Sequence, residues 1–256
     1  SAFGGVRKVA TPMKTVVGNP IPFPTVDETG NEGEFVAESV AASAQDIAFG
    51  TTQIGAFKVS SKKFAVPFEL LQDQGPGIDV EAFIRRSAAN RIARIQNRKF
   101  TVGTGTNEPQ GIVTAAASGR VGPTGQTAVV YYDDLVYLEH SVDPAYREMP
   151  GVGFMFHDTT LRSLKLLKDG QQRPIWVPGV STKEPDTILG YTYTINQHMA
   201  SMAANAKSIL FGKLDEYMIR DVMQVTLFRF DDSAFISLGQ IGFLAWARCD
   251  GRMITG

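Results

Sequence analysis

The chain has 256 residues, of which 43% are hydrophobic and 20% charged, with a formal net charge of −1. This composition fits one large folded domain or two modest ones, excludes disorder over most of the length, and gives no general pull towards nucleic acid or an anionic membrane. The single cysteine, Cys249, excludes an intrachain disulfide and a four-cysteine zinc site.

Residues 1–30 are rich in Gly, Pro and Thr. Pro12, Pro20, Pro22 and Pro24 each remove a backbone donor and fix φ, so this segment is expected as an extended arm lying on another surface, neither a helix nor a central strand. Residues 31–66 read as β. Ile47, Phe49, Thr51 and Gln53 alternate, followed by Phe57, Val59 and Ser61. Glu34 to Val40 is expected as the shorter partner strand, with Ala41-Ala42-Ser43-Ala44 as the tip. A two-stranded ribbon is marginal alone in water, so it calls for a partner surface on a neighbouring subunit.

Pro76 and Gly77 stop the β segment. A long helix is expected from Asp79 to Phe100, with Asp79 as N-cap and Val80, Phe83, Ile84, Ala88, Ile92 and Ile95 as its apolar stripe. Gly103-Thr104-Gly105 ends it. A second helix is expected from Asp133 to about Val142, then a buried strand at Phe154-Met155-Phe156. Asp158 is expected to cap a third helix with Leu161, Leu164 and Leu167 on one face. Asp169-Gly170 ends that helix and opens a Pro/Gly loop reaching Pro185. Strands are expected at Thr192 to Ile195, Ser208 to Phe211, Tyr217 to Arg220 and Val225 to Phe230, with a final long strand from Ala234 to Arg248. Helices and strands in this irregular order indicate an α+β fold.

Motifs for chemistry are weak. The glycines at 103 and 105 follow a helix and lack the Gly-Lys-Ser/Thr of a phosphate loop. Asp133-Asp134 sits at a helix start and Asp231-Asp232 at a turn, with no His or Lys nearby in sequence to complete an acid–base pair. His140, His157 and His198 have no second His or Cys at metal-ligand spacing. His157 before Asp158 has no nucleophile elbow to serve. Cys249 reads as a small buried residue, no apolar run approaches the roughly 18 residues that span a bilayer, and neither an enzyme activity nor a cofactor is expected.

The long helix carries Arg85, Arg86, Arg91, Arg94, Arg98 and Lys99 against Glu81 alone. Three readings stay open: a solvated face, inter-subunit ion pairs, or phosphate contacts to packaged nucleic acid, for which arginine's fork suits either anion.

The order of these elements resembles the HK97-type major capsid proteins of tailed bacteriophages over nearly the whole chain. The resemblance rests on the ribbon from Glu34 to Phe57 and on the helix with Ile84, Arg85, Arg91 and Ile92. That helix runs into Gly103-Thr104-Gly105-Thr106-Asn107-Glu108-Pro109-Gln110-Gly111-Ile112. Further matches are Phe154-Met155-Phe156-His157, Leu167-Lys168-Asp169-Gly170-Gln171-Gln172-Arg173-Pro174-Ile175-Trp176, and Leu189-Gly190-Tyr191-Thr192-Tyr193, where Thr192 replaces the family's usual Pro. Leu210-Phe211-Gly212 with Tyr217-Met218-Ile219-Arg220-Asp221 completes the set.

The resemblance implies an N-terminal arm (1–30), an extended β-ribbon loop (31–57), a peripheral domain with the spine helix (58–120 and 223–246) and an axial domain (121–222 and 247–256). It implies a shell of hexamers and pentamers around double-stranded DNA, built in the bacterial host cytoplasm and located in the virion, with a portal as partner, the presence of decoration proteins left open, and no membrane. It also implies loss of an N-terminal scaffolding segment, which the Ser1 start suits. The family's type member crosslinks its subunits through Lys, Asn and Glu. The corresponding positions here fall at Ala42, Ser233 and Gln240, so that crosslink is not expected. Glu69 and Arg229 fall near the family's threefold contacts and are expected as an inter-subunit pair, with Glu34, Asp231 and Asp232 as further contacts. An encapsulin-type compartment enclosing cargo enzymes shares the fold and is the alternative. A hydrolase with a hidden site is a third reading, which a monomeric solution mass would favour.

Overall fold

A computed structural model describes residues 5–26, 31–73, 79–173, 175 and 187–254. The expected breaker at Pro76-Gly77, and most of the expected Pro/Gly loop up to Pro185, lie outside those residues.

The chain opens with a 3-10 turn over Val6–Lys8, then β1 (Thr11–Thr15), β2 (Ile21–Val26), β3 (Phe49–Ile54), β4 (Phe57–Ser60), β5 (Phe64–Pro67), α1 (Phe68–Gln72) and α2 (Val80–Val102). It continues through α3 (Ile112–Ala115), α4 (Tyr132–His140), α5 (Pro144–Arg147), β6 (Val152–Phe156), α6 (Asp158–Lys165), β7 (Thr187–Ile188), β8 (Tyr191–Ile195) and β9 (Ile209–Lys213). It ends in β10 (Tyr217–Phe230), α7 (Ser233–Ile236) and β11 (Gln240–Met253).

A 5-stranded sheet runs β1-β10-β11-β4, with β5 also on β11; a 4-stranded sheet runs β7-β8-β6-β9; β2 and β3 form a separate pair. The long helix α2 packs on the first sheet. Ala88 and Ile92 meet Ala245 and Ala247, and Ile84 meets Phe243 and Val66. Alanines on both sides let the helix sit close. Asp79 caps α2 as expected, its side chain accepting from the Ala82 N–H. Phe83, expected in the apolar stripe, is 70% exposed instead. Its position around the helix lies away from Ile84, Ala88 and Ile92, which alone define the buried face of this part of the helix.

The end of α2 crosses a return segment at glycines. A Cβ on Gly103 would lie 2.1 Å from the Pro109 carbonyl oxygen, and one on Gly111 would lie 2.5 Å from that of Thr101. Gly111 donates its N–H to Gly103 O at 2.9 Å, which closes the crossing. Around the second sheet, Phe154, Phe156, Leu161, Leu164, Ile188 and Phe211 form a second core. A third cluster joins the two sheets, with Phe100, Met155, Tyr217 and Cys249 among its buried members.

Several expectations change. The ribbon partner of β3 is Ile21–Val26, not Glu34 to Val40, which forms no strand. Pro22 and Pro24 stand two apart, so both missing donors fall on the same strand edge and pairing through the other edge loses nothing. The arm is therefore part ribbon. Its root is also anchored: Val6 is buried, and β1 pairs parallel with β10 as an edge strand. Tyr217 to Arg220 and Val225 to Phe230 are one strand, bulged between Val222 and Thr226 with Met223 at φ 60. The final strand begins at Gln240 rather than Ala234, because Phe235 and Ile236 donate back to the Asp232 carbonyl and form a helical turn. The third helix is capped by His157, whose Nδ1 accepts the Thr159 N–H at 3.1 Å; Asp158 is its first residue and complements the helix dipole.

Candidate interaction surfaces

Residues 31–51 are exposed throughout, and this stretch carries Phe35, Val36, Val40, Ile47 and Phe49. Residues 31–48 form no strand or helix. Within it Glu34 accepts the Ser43 N–H, which lowers the Glu34 pKa, and Gln45 donates to the Asn31 side chain at 2.7 Å. Ala42 lies in this stretch. The segment holds Glu32, Glu34, Glu38 and Asp46 and no Lys or Arg between residues 31 and 51.

The ribbon's foot is held by charged residues outside the expected contact set. Arg220 is fully buried. It donates to the carbonyls of Val17 (2.6 Å), Asn19 (2.8 Å), Ile54 (3.1 Å) and Gly55 (3.0 Å), and to Thr15 Oγ1 at 3.0 Å. Asp250, its register partner on β11, accepts the Gly55 N–H at 2.5 Å. Burial raises the Asp250 pKa, against the pull of those hydrogen bonds and of Arg252 and Arg220. Arg252 donates to Gln53 O at 2.9 Å. At the root of the arm, Arg7 forms a two-point ion pair with Asp221, at 2.6 and 2.9 Å. An arginine in a β-rich stretch is the one sequence signal available for Arg220.

The arginines of α2 do not share one face. Arg91, Arg94 and Arg98 recur at i, i+3 and i+7 and form one stripe, while Arg85 and Arg86 lie off it. All five are exposed. Arg85 pairs with Glu81 at 2.9 Å, and Arg91 covers the Phe64 ring at 3.9 Å. Burial together with the Arg98 charge lowers the pKa of His198.

Four of the proposed contact residues lie at one end of the first sheet. Glu69 lies on α1, Arg229 near the end of β10, and Asp231 and Asp232 in the turn before α7; all are exposed. The Phe68 N–H donates to Gly239 O at 3.0 Å, and Pro67 is register partner of Gln240, which ties α1 to that turn. Phe68, Leu70, Ile236 and Leu238 are exposed beside them. Ser233 starts α7 and Gln240 starts β11. Glu34 stands apart, in the loop.

On the sheet face away from α2, a groove of about 330 Å³ opens at the β10 bulge. Its walls include Met223, Phe228 and Trp246, with Lys58 and Arg248 on its rim. A larger cavity of about 1000 Å³ lies beside the 116–126 segment. Of its polar groups, Asp134 accepts from Arg120, Gln126 and the Tyr131 N–H, and Lys207 donates to the Val113 and Ala116 carbonyls, while Gln126 Oε1 is buried with no hydrogen-bond partner among the described residues.

Cys249 is buried, and burial pushes its thiol up to about 12, the reverse of a reactive thiolate. Among the described residues there is no cluster of three potential metal ligands and no helix long and apolar enough to cross a membrane. Asp169, in the loop expected near the capsomer centre, accepts the Gln171 and Arg173 N–H groups, both at 2.8 Å. Pro174 and Trp176 of that loop lie outside the described residues.

The sequence matches the phage capsid family model over residues 1–255. The fold is similar to that of the capsid of a native GTA particle computed with C5 symmetry, at 23% identity and TM-score 0.80, over 97% of this chain and 85% of that one. It is also similar to structures from Microbacterium phage Oxtober96 (13% identity, TM-score 0.72, 99% and 86% covered) and Mycobacterium phage Adephagia (12%, 0.70, 96% and 82%). No curated protein matches the chain.

Proposed function

The chain belongs to the phage capsid family and has its HK97-like fold, a structural shell protein of the virion, and from that premise we propose that it assembles as hexamers and pentamers into an icosahedral head around double-stranded DNA. The observation that carries the assembly reading is the exposed apolar segment 31–51. A lone subunit in water gains nothing from leaving Phe35, Val40, Ile47 and Phe49 uncovered, and a neighbouring copy removes that cost.

The same chain offers a receiving surface. The groove at Met223, Phe228 and Trp246 is apolar with a basic rim of Lys58 and Arg248, and the loop is apolar and acidic. Complementary charge fixes register and speeds encounter. The cluster of Glu69, Arg229, Asp231 and Asp232 is a second contact, with Glu69 of one copy meeting Arg229 of another. In this reading residues 58–120 and 223–246 form the peripheral domain and 121–222 and 247–256 the axial domain. Strands β10 and β11 run through both, with residues 1–30 as the arm and 31–57 as the loop. The stripe of Arg91, Arg94 and Arg98 meets either DNA phosphate or a neighbour's carboxylates, and Arg85 and Arg86 offer basic charge to either kind of partner on the helix's other faces. Assembly takes place in the bacterial host cytoplasm, and a portal completes the head, with or without decoration proteins.

Purified particles test this. Nuclease-protected double-stranded DNA inside them supports a phage head; cargo protein in place of DNA supports an encapsulin-type compartment and overturns the proposal.

A further inference from the structure

Arg220 lies between two segments that the sequence separates widely. Thr15 ends β1, and Val17 and Asn19 belong to the turn after it; Ile54 and Gly55 belong to the foot of the ribbon. Gly55 is held from both sides, its carbonyl by Arg220 and its N–H by Asp250. The guanidinium draws its acceptors from both segments, and the full set is present only when both are in place. If either one leaves, donors are stranded in the interior or water enters, and the hold on the other segment weakens.

We propose that Arg220, seated opposite Asp250, is a positioning residue that makes the N-terminal arm and the ribbon a single lever, so that displacing one displaces the other. On the shell reading above, these are the two segments that reach neighbouring subunits, and a neighbour that engages the ribbon then also sets the arm. The physical coupling itself does not need that reading.

Hydrogen exchange on the unassembled full chain tests the coupling, so a failure here is separate from a failure to form shells. Thr15→Val removes one acceptor of Arg220 and touches only the arm. It is expected to speed exchange several-fold at residues 53–56 as well as 16–19. Arg252→Ala frees Gln53 O on the ribbon side and is expected to speed exchange at 16–19 as well, because coupling is reciprocal. In an Arg220→Lys background, Thr15→Val is expected to leave residues 53–56 unchanged. Exchange in α2 serves as the control that the fold persists. Effects confined to each variant's own segment overturn the proposal. Strands β2 and β3 also join the two segments, through Ile21 and Ile54, so the Arg220→Lys background is what assigns the effect to Arg220; if that variant does not fold, Arg220→Gln takes its place.

Discussion

Asn97 on the long helix donates to the side-chain oxygen of Asn196 at 3.0 Å, both residues being buried. Asn97 also accepts the Val6 N–H at 3.1 Å, and Asn196 donates to Thr101 Oγ1 at 2.8 Å. One amide pair thus joins arm, helix and second sheet. Asn97→Ala leaves the Val6 N–H unfilled and is expected to cost about 1–3 kcal/mol in denaturant unfolding. A loss below about 0.5 kcal/mol would show that water takes over those bonds.

The crossing at the end of α2 makes a sharper demand. Gly103→Ala and Gly111→Ala drive a methyl into backbone oxygen and are expected to destabilise by about 2 kcal/mol or more. Gly33→Ala and Gly170→Ala, where a Cβ meets nothing within 4 Å, serve as controls. They are expected to stay within about ±0.5 kcal/mol. Equal effects at all four positions would contradict the packing described.

Burial pushes the Asp134 pKa up, but hydrogen bonds from Gln126, the Tyr131 N–H and Arg120 outweigh it, and the net direction is down. A carboxylate depressed in the folded state contributes stability that is present above its ordinary pKa and lost as pH falls through the folded one. The stability gap between wild type and Asp134→Asn is therefore expected to be widest near neutral pH and to close on acidification below about pH 4. A gap that is flat with pH would mean that the ion pair with Arg120 adds nothing. Asp250, raised by burial, has the opposite sign: its contribution is full at low pH and lost as pH rises.

Phe35→Ser and Phe49→Ser change residues that pack on nothing within the chain's core. Monomer stability is expected to move by less than about 0.5 kcal/mol, while assembly, followed by light scattering, is expected to slow or stop. Trp246→Ser in the groove is expected to impair assembly similarly. Normal assembly of all three variants would remove loop docking from the account.

Arg229→Glu is expected to block assembly, and Glu69→Arg combined with it to restore part of it. Rescue by the double reversal identifies the pair; unaffected assembly in the Arg229 variant rules it out.

Much of this fold was legible in the sequence. The helix from Asp79, the strand Phe154 to Phe156 and the α+β class follow from periodicity and caps. The ribbon partner was hidden because Pro22 and Pro24 argue against a strand until their shared parity is noticed. The bulge at Met223 split one strand into two, because a residue at positive φ interrupts the alternation. Asp158 reads as a cap from its residue type alone, whereas the His157 imidazole nitrogen accepts the N–H that a capping carboxylate would take. Among the contact residues, Glu69, Arg229, Asp231 and Asp232 converge only through the pairing of β5 with β11. The arginines were visible as a run, but their division into a stripe of three and an outlying pair needs the helical angle. Arg220 had only its place in a β-rich stretch as a signal, since the groups that fill its donors are nearly all backbone carbonyls.

The most direct measurement is electron cryomicroscopy of the assembled product of the full-length gene. Closed shells of hexamers and pentamers, with density for residues 31–51 pressed against an adjacent subunit, are what the account expects. A homogeneous monomer that never polymerises, or shells in which that segment stays free of any neighbour, would contradict it.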